Sequence, residues 1–126
     1  MRLLLDTHTL VWAAVETRRL SRRARDLIAD PENDRFVSAA SAYEIEYKRD
    51  RDLSLARLPQ NLDELSDRLV FDWLPIEYDH AVQAGRLPRH HGDPWDRVIV
   101  AQALADDLTF ISADDTLLAY GARIVW

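Results

Sequence analysis

Short apolar runs alternate with stretches of helical spacing along the whole chain, and this alternation restricts the fold more than any other feature. Leu3-Leu4-Leu5 ends abruptly at Asp6 and reads as a buried strand. Residues 10–15 read as a short helix. Ser21 is placed to cap a second helix running to Ala29, which Asp30-Pro31 terminates. Phe36-Val37-Ser38 reads as a second strand, and Ser41 as the start of a helix reaching about Arg51. Leu62, Leu65 and Leu69 give residues 61–71 an amphipathic helical spacing. Residues 73–76 form a weak strand that Pro75 confines to a sheet edge. Residues 78–87 read as a helix, 88–94 as a polar loop and 95–106 as a strong helix. Residues 108–112 then read as a strand, 114–120 as a short helix stopped by Gly121, and 122–126 as a last strand. Short strands interleaved with helices predict an α/β chain: an α/β/α sandwich around a mostly parallel sheet. Ligands of such sheets gather at the carboxyl ends of the strands.

The 126 residues are enough for one hydrophobic core, so residues 1–126 are expected to form one domain. No apolar run nears the roughly 18 residues a membrane span needs, and the first residues lack the features of a signal peptide. No cysteine is present, which excludes disulfides, thiolate catalysis and thiolate-ligated zinc. A cytoplasmic location is the expectation.

A net charge of -6 argues against a general nucleic-acid binder, but the charge is uneven. Residues 1–57 hold 11 basic and 10 acidic side chains, whereas residues 58–126 hold 5 and 12. The basic side chains cluster at Arg18, Arg19, Arg22, Arg23 and Arg25, and at Lys48, Arg49 and Arg51. Such clusters are either solvated helix faces or a local track for phosphates.

Four acidic residues fall where strands end or the adjoining helices begin: Asp6, Glu44, Asp96 and Asp114. Each also has a structural explanation. Ser41-Ala42-Tyr43-Glu44 fits a capping box. Asp93 and Asp96 sit where a carboxylate complements a helix dipole. Asp114 or Asp115 suits a short-helix cap. Asp6 is harder to explain away, because it closes a buried strand and an unpaired buried carboxylate is costly. If the strands order as expected, the four converge. Clustered carboxylates repel one another, and Mg²⁺ or Mn²⁺ relieves that repulsion. Such an ion can activate water against a phosphodiester.

His8 reads as a hydrogen-bonded histidine at a strand end before it reads as a ligand. His90-His91 lacks the spacing of a zinc site. Trp12, Trp95 and Trp126 read as packing residues. Base stacking by Trp73 or Tyr47 has no support in the sequence.

Several segments together carry a resemblance to a family. Leu4-Leu5-Asp6-Thr7-His8 resembles the opening motif of PIN domains, and residues 38–44, ending at Glu44, resemble the second. Residues 92–103, holding Gly92-Asp93-Pro94-Trp95-Asp96, resemble the third, and Phe110-Ile111-Ser112-Ala113-Asp114 the fourth. Their order and spacing match over essentially the whole chain. Within the family the likeness is to the VapC-like toxins of bacterial toxin–antitoxin pairs. The resemblance implies a metal-dependent endoribonuclease cutting single-stranded regions of tRNA or rRNA. It implies that Asp6, Glu44, Asp96 and Asp114 hold Mg²⁺ or Mn²⁺ and carry catalysis, with Ser112 and Asp93 supporting. It further implies a homodimer whose site is covered by a cognate antitoxin. Two rivals stand beside it: an aspartyl-dependent phosphatase, and a catalytically silent metal-binding scaffold of the same fold. Asp6-Thr7-His8 lacks the second aspartate two positions on that one large phosphatase class needs.

Overall fold

The computed structural model describes residues 1–90 and 92–126. His91, half of the histidine pair weighed as a zinc site, lies outside the described residues. Five strands form one sheet: β1 (Arg2–Leu5), β2 (Asp34–Ser38), β3 (Asp72–Leu74), β4 (Thr109–Ile111) and β5 (Ile124–Val125). Their order is β3-β2-β1-β4-β5, and every pairing is parallel, so the expected sheet is wholly rather than mostly parallel. The helices are α1 (Thr7–Val15), α2 (Arg22–Ala29), α3 (Ala39–Lys48), α4 (Asp63–Leu69), α5 (Tyr78–Arg86) and α6 (Pro94–Ala105). Three 3-10 turns cover Thr17–Arg19, Leu53–Arg57 and Asp115–Tyr120.

The all-apolar sequence of β1 follows from its central place, since a strand covered on both faces gains from apolar residues at every position. Successive side chains leave opposite faces. Leu3 and Leu5 join Val37 and Ile111 beneath α1, α2 and α4, in a core with Leu10, Ala24 and Leu65. Leu4 points the other way, with Phe110, Ile99, Val100 and Leu117. The result is a sheet between two layers of helices. From β1 the chain builds β2 and β3 to one side and β4 and β5 to the other, so the carboxyl ends of β1 and β4 flank a crevice at the topological switch.

Most elements lie where the apolar spacing puts them, including the Ser21 cap, whose hydroxyl accepts the Ala24 N–H at 3.0 Å. Three boundaries differ. α1 begins at Thr7 rather than Leu10, because Asp6 caps it; the apolar run marks only its later turns. α3 begins at Ala39, capped by Ser38, whose Oγ accepts the Ala40 N–H at 2.9 Å. Ser41 is therefore inside the helix, and the Ser41–Glu44 capping box does not form. β5 is only two residues long, against the five expected. Gly121 ends the last 3-10 turn at φ 82°, a conformation that suits glycine.

Candidate active site

Asp6 leaves β1 with its N–H still in the sheet ladder, donating to the Ile111 carbonyl at 3.0 Å. One residue later it caps α1: Oδ1 accepts the Thr7 N–H at 2.8 Å. Oδ2 accepts the Ser112 hydroxyl at 2.8 Å. The same Ser112 Oγ accepts the Asp114 N–H at 3.1 Å, so one hydroxyl joins the acids that follow β1 and β4. Asp6 is only 7% exposed. Burial pushes its carboxyl above the ordinary value, and the nearby Glu44 carboxylate adds to the rise; the bonds from Ser112 and Thr7 pull the other way.

Glu44 lies in the second turn of α3, not the first, and faces inward. Its Oε2 accepts from Lys48 Nζ at 2.7 Å. Its Oε1 is buried and has no hydrogen-bond partner among the described residues. With the capping role gone, the pair with Lys48 is the structural role left to Glu44 within α3. Lys48 holds its proton more firmly than an ordinary lysine, chiefly through the bond to Glu44, with Asp93 and Asp96 adding to the effect. A buried hydroxyl pair, Thr7 Oγ1 and Ser41 Oγ at 2.8 Å, ties the start of α1 to α3.

Asp96 stands in the first turn of α6 and is half-buried. Its pKa is pushed up to about 7, first by burial, then by the charges of Asp6, Asp93, Glu44 and Asp114. The causes place Asp96 within electrostatic reach of four carboxylates, those after β1 and β4, that on α3 and that capping α6. Asp93 caps α6, its Oδ1 accepting the N–H groups of Trp95 at 2.9 Å and Asp96 at 3.2 Å. Pro94 at the first helical position needs no such partner. Asp114 caps the final 3-10 turn, accepting the Thr116 N–H at 3.1 Å. Asp115 is exposed, as its failure to match the fourth motif implies.

The structure thus brings Asp6, Glu44, Asp93, Asp96, Asp114 and Ser112 into one neighbourhood. Among the described residues, no three acidic or histidine side chains are gathered closely enough to hold a metal ion as they stand. Two features nevertheless fit a divalent cation. The buried Glu44 Oε1 is an acceptor that a cation would satisfy, and the neighbouring carboxylates add to burial in raising the Asp96 pKa, a repulsion that a bound cation would offset.

The sequence reading placed Lys48 in a basic cluster but missed its pairing with Glu44, for which the spacing of four on a helix was the available signal. His8 corrects an expectation. It is exposed and stacks on Trp12 at 5.8 Å, and among the described residues it makes no hydrogen bond. Trp12 meets Trp126 edge-on at 5.7 Å, and Trp73 meets Phe71 at 4.9 Å, both packing contacts. Of the first basic cluster, Arg19 lines the cleft that holds Glu44, with its guanidinium 4.7 Å from the Trp12 ring centre. Arg22, Arg23 and Arg25 are exposed on α2. His90 is exposed and meets Tyr120 edge-on at 5.3 Å. Among the described residues no helix is long and apolar enough to cross a membrane.

Comparison with known proteins gives a consistent picture. The family model described as the PIN domain matches residues 3–122. No curated protein matches significantly in sequence. A chain from the crystal structure of VapBC2 from Rickettsia felis bound to a DNA fragment from its promoter is similar at a TM-score of 0.73 and 16% identity, over 99% of this chain and 98% of that one. A chain of FitAcB from Neisseria gonorrhoeae is similar at 0.72 and 19% identity, over 98% and 96%. A chain of a toxin–antitoxin complex from Klebsiella pneumoniae gives 0.62 and 20% identity, over 98% and 96%. At these identities the likeness is one of fold.

Proposed function

This chain belongs to the PIN-domain family, and on that premise we propose that it is a metal-dependent endoribonuclease, the toxin of a toxin–antitoxin pair. Its substrate in this reading is a single-stranded region of tRNA or rRNA. The observation that carries the proposal is the gathering of carboxylates around Asp96 at the carboxyl ends of β1 and β4, where Ser112 joins Asp6 to the Asp114 N–H. Asp6, Glu44, Asp96 and Asp114 would hold Mg²⁺ or Mn²⁺, whose oxygen preference matches an all-carboxylate set. A bound divalent ion supplies charge neutralisation at the phosphate and lowers the cost of deprotonating water.

The chain's own residues do the rest. Ser112 orients Asp6 and, through the Asp114 N–H, the loop after β4. Asp93 fixes the first turn of α6 and so the position of Asp96. Glu44 or Asp96 would accept the proton of the attacking water. The fold relative whose structure is a toxin–antitoxin complex supports an antitoxin partner. Homodimer formation and a cytoplasmic setting belong to the same reading. The aspartyl phosphatase is disfavoured because Asp6-Thr7-His8 lacks the second aspartate two positions on.

The test is cleavage of total RNA from the native host by purified, partner-free protein with Mg²⁺ or Mn²⁺, against EDTA and Asp6→Asn controls. Discrete products that need metal and are missing in both controls are expected. Folded protein that cuts no RNA with either ion would leave the silent scaffold as the reading.

A further inference from the structure

Beside the carboxylates, α3 and α6 place three aromatic rings at the surface. Tyr43 and Tyr47 stack at 6.0 Å and 15° on the exposed face of α3. Both lean on Trp95, at 5.9 Å and 5.7 Å. The tyrosines are 60% and 50% exposed, so folding leaves much of both rings in water. A clustered exposed aromatic surface calls for an occupant.

Its neighbours indicate which. Lys48 Nζ lies 5.2 Å from the Trp95 ring centre while it binds Glu44, so one ammonium adjoins both the rings and the acidic site. Arg51 lays its guanidinium 4.9 Å over Tyr47, the position a planar base would take, and its own side chain is 62% exposed. Tyr47, Lys48, Arg51, Leu53 and Trp95 line an open cleft of about 580 Å³. Lys48, Asp52 and Ser54 are shared with the narrower cleft that holds Glu44, so the two are continuous.

We propose that Tyr43, Tyr47 and Trp95 form a stacking shelf for unpaired bases of RNA, with Lys48 and Arg51 meeting the backbone phosphates beside the carboxylate site. The proposal rests on the ribonuclease reading above and names the part of the surface that selects single strands. Aromatic faces accept any unstacked base, and bases in a duplex are not available to them. Lys48 and Arg51 bring positive charge to this rim of a chain whose net charge is -6.

The test is the affinity of a fluorescein-labelled single-stranded RNA octamer of mixed sequence, and of its duplex, in Mg²⁺. The protein is the full chain carrying Asp6→Asn, which blocks turnover. Tyr43→Ala and Tyr47→Ala are each expected to weaken single-strand binding by roughly five- to a hundredfold, while Tyr47→Phe keeps it. The duplex should bind weakly and equally to all. Wild-type affinity in both alanine variants, or no preference for the single strand, overturns the shelf. Unchanged RNA affinity together with dissociation of a dimer in the alanine variants, seen by sedimentation, assigns the surface to a second copy of the chain instead. Failure of the nuclease reading is separately visible: the shelf would still bind RNA while the unmutated protein cuts none.

Discussion

Ser112 Oγ stands 2.8 Å from Asp6 Oδ2 and 3.1 Å from the Asp114 amide nitrogen, donating to the first and accepting from the second. It is 1% exposed. Strands β1 and β4 are neighbours, so this hydroxyl fixes the spacing of the two acids that follow them. A buried carboxylate that would otherwise be costly is thereby held ionisable.

Ser112→Ala should therefore lower the unfolding free energy by about 1–2 kcal/mol, read from denaturant titration. It should also raise the pKa of Asp6 further, because the Ser112 bond pulls it down. More Mg²⁺ would then be needed for half-maximal activity, and Ser112→Thr should restore the wild-type requirement. A metal requirement unmoved by Ser112→Ala would show that the hydroxyl does not orient Asp6.

The pH dependence of stability has a definite sign. Asp96 has a folded pKa of about 7 against an ordinary 3.8, so between those values the folded chain binds more protons than the unfolded one. Stability in EDTA therefore falls as pH rises from about 4 through 7, and is level above that for this group. Asp6, also raised, adds a slope of the same sign. Asp96→Asn should flatten the fall in Tm, and Mg²⁺ should raise Tm more at pH 8 than at pH 5, because it binds ionised carboxylates. Equal slopes in the variant and the wild type would count against the clustering of charge around Asp96.

Val70 closes α4 at φ 54°, a left-handed conformation unfavourable for a β-branched residue. It is 64% exposed, and Arg35 Nε donates to its carbonyl at 2.9 Å. Val70→Gly keeps that carbonyl and relieves the strain, so it should stabilise the protein by about 1 kcal/mol. Thermal melts and denaturant midpoints would register the gain, and a loss would mean that packing of the valine methyls outweighs the backbone.

The strands and the acids after them were legible because their signals are local: an apolar run for β1, then Asp6. The start of α3 was not, because Ser38 and Ser41 cap equally well on paper. In the fold Ser38 takes the Ala40 N–H, while Ser41 is engaged by Thr7, 34 residues away in sequence. Trp95 and Tyr47 were read apart for the same reason. Nothing in the spacing of either shows that α3 and α6 lie side by side, and only that contact turns two unremarkable aromatics into one surface. The role of Glu44 was half-visible: the motif singled it out, while the capping box that competed for it dissolved once Ser38 took the cap.

The pair of Glu44 and Lys48 gives the sharpest separation of structure from chemistry. The Glu44 side chain is 9% exposed and that of Lys48 35%, so the pair is neither a surface bridge nor fully buried. Lys48→Met leaves Glu44 charged among Asp6 and Asp96 and should cost about 1–3 kcal/mol, less than the loss of a fully buried partner because water reaches the lysine. Glu44→Gln removes the repulsion as well as the pair and should cost less. The double variant should then be more stable than Lys48→Met alone, a coupling measurable by a double-mutant cycle. Mg²⁺ should restore much of the stability of Lys48→Met but little of that of Glu44→Gln, since only the former keeps the carboxylate. If Mg²⁺ stabilises both variants equally, Glu44 is not part of the cation site, and the acids that matter are those at the ends of β1 and β4 and the start of α6.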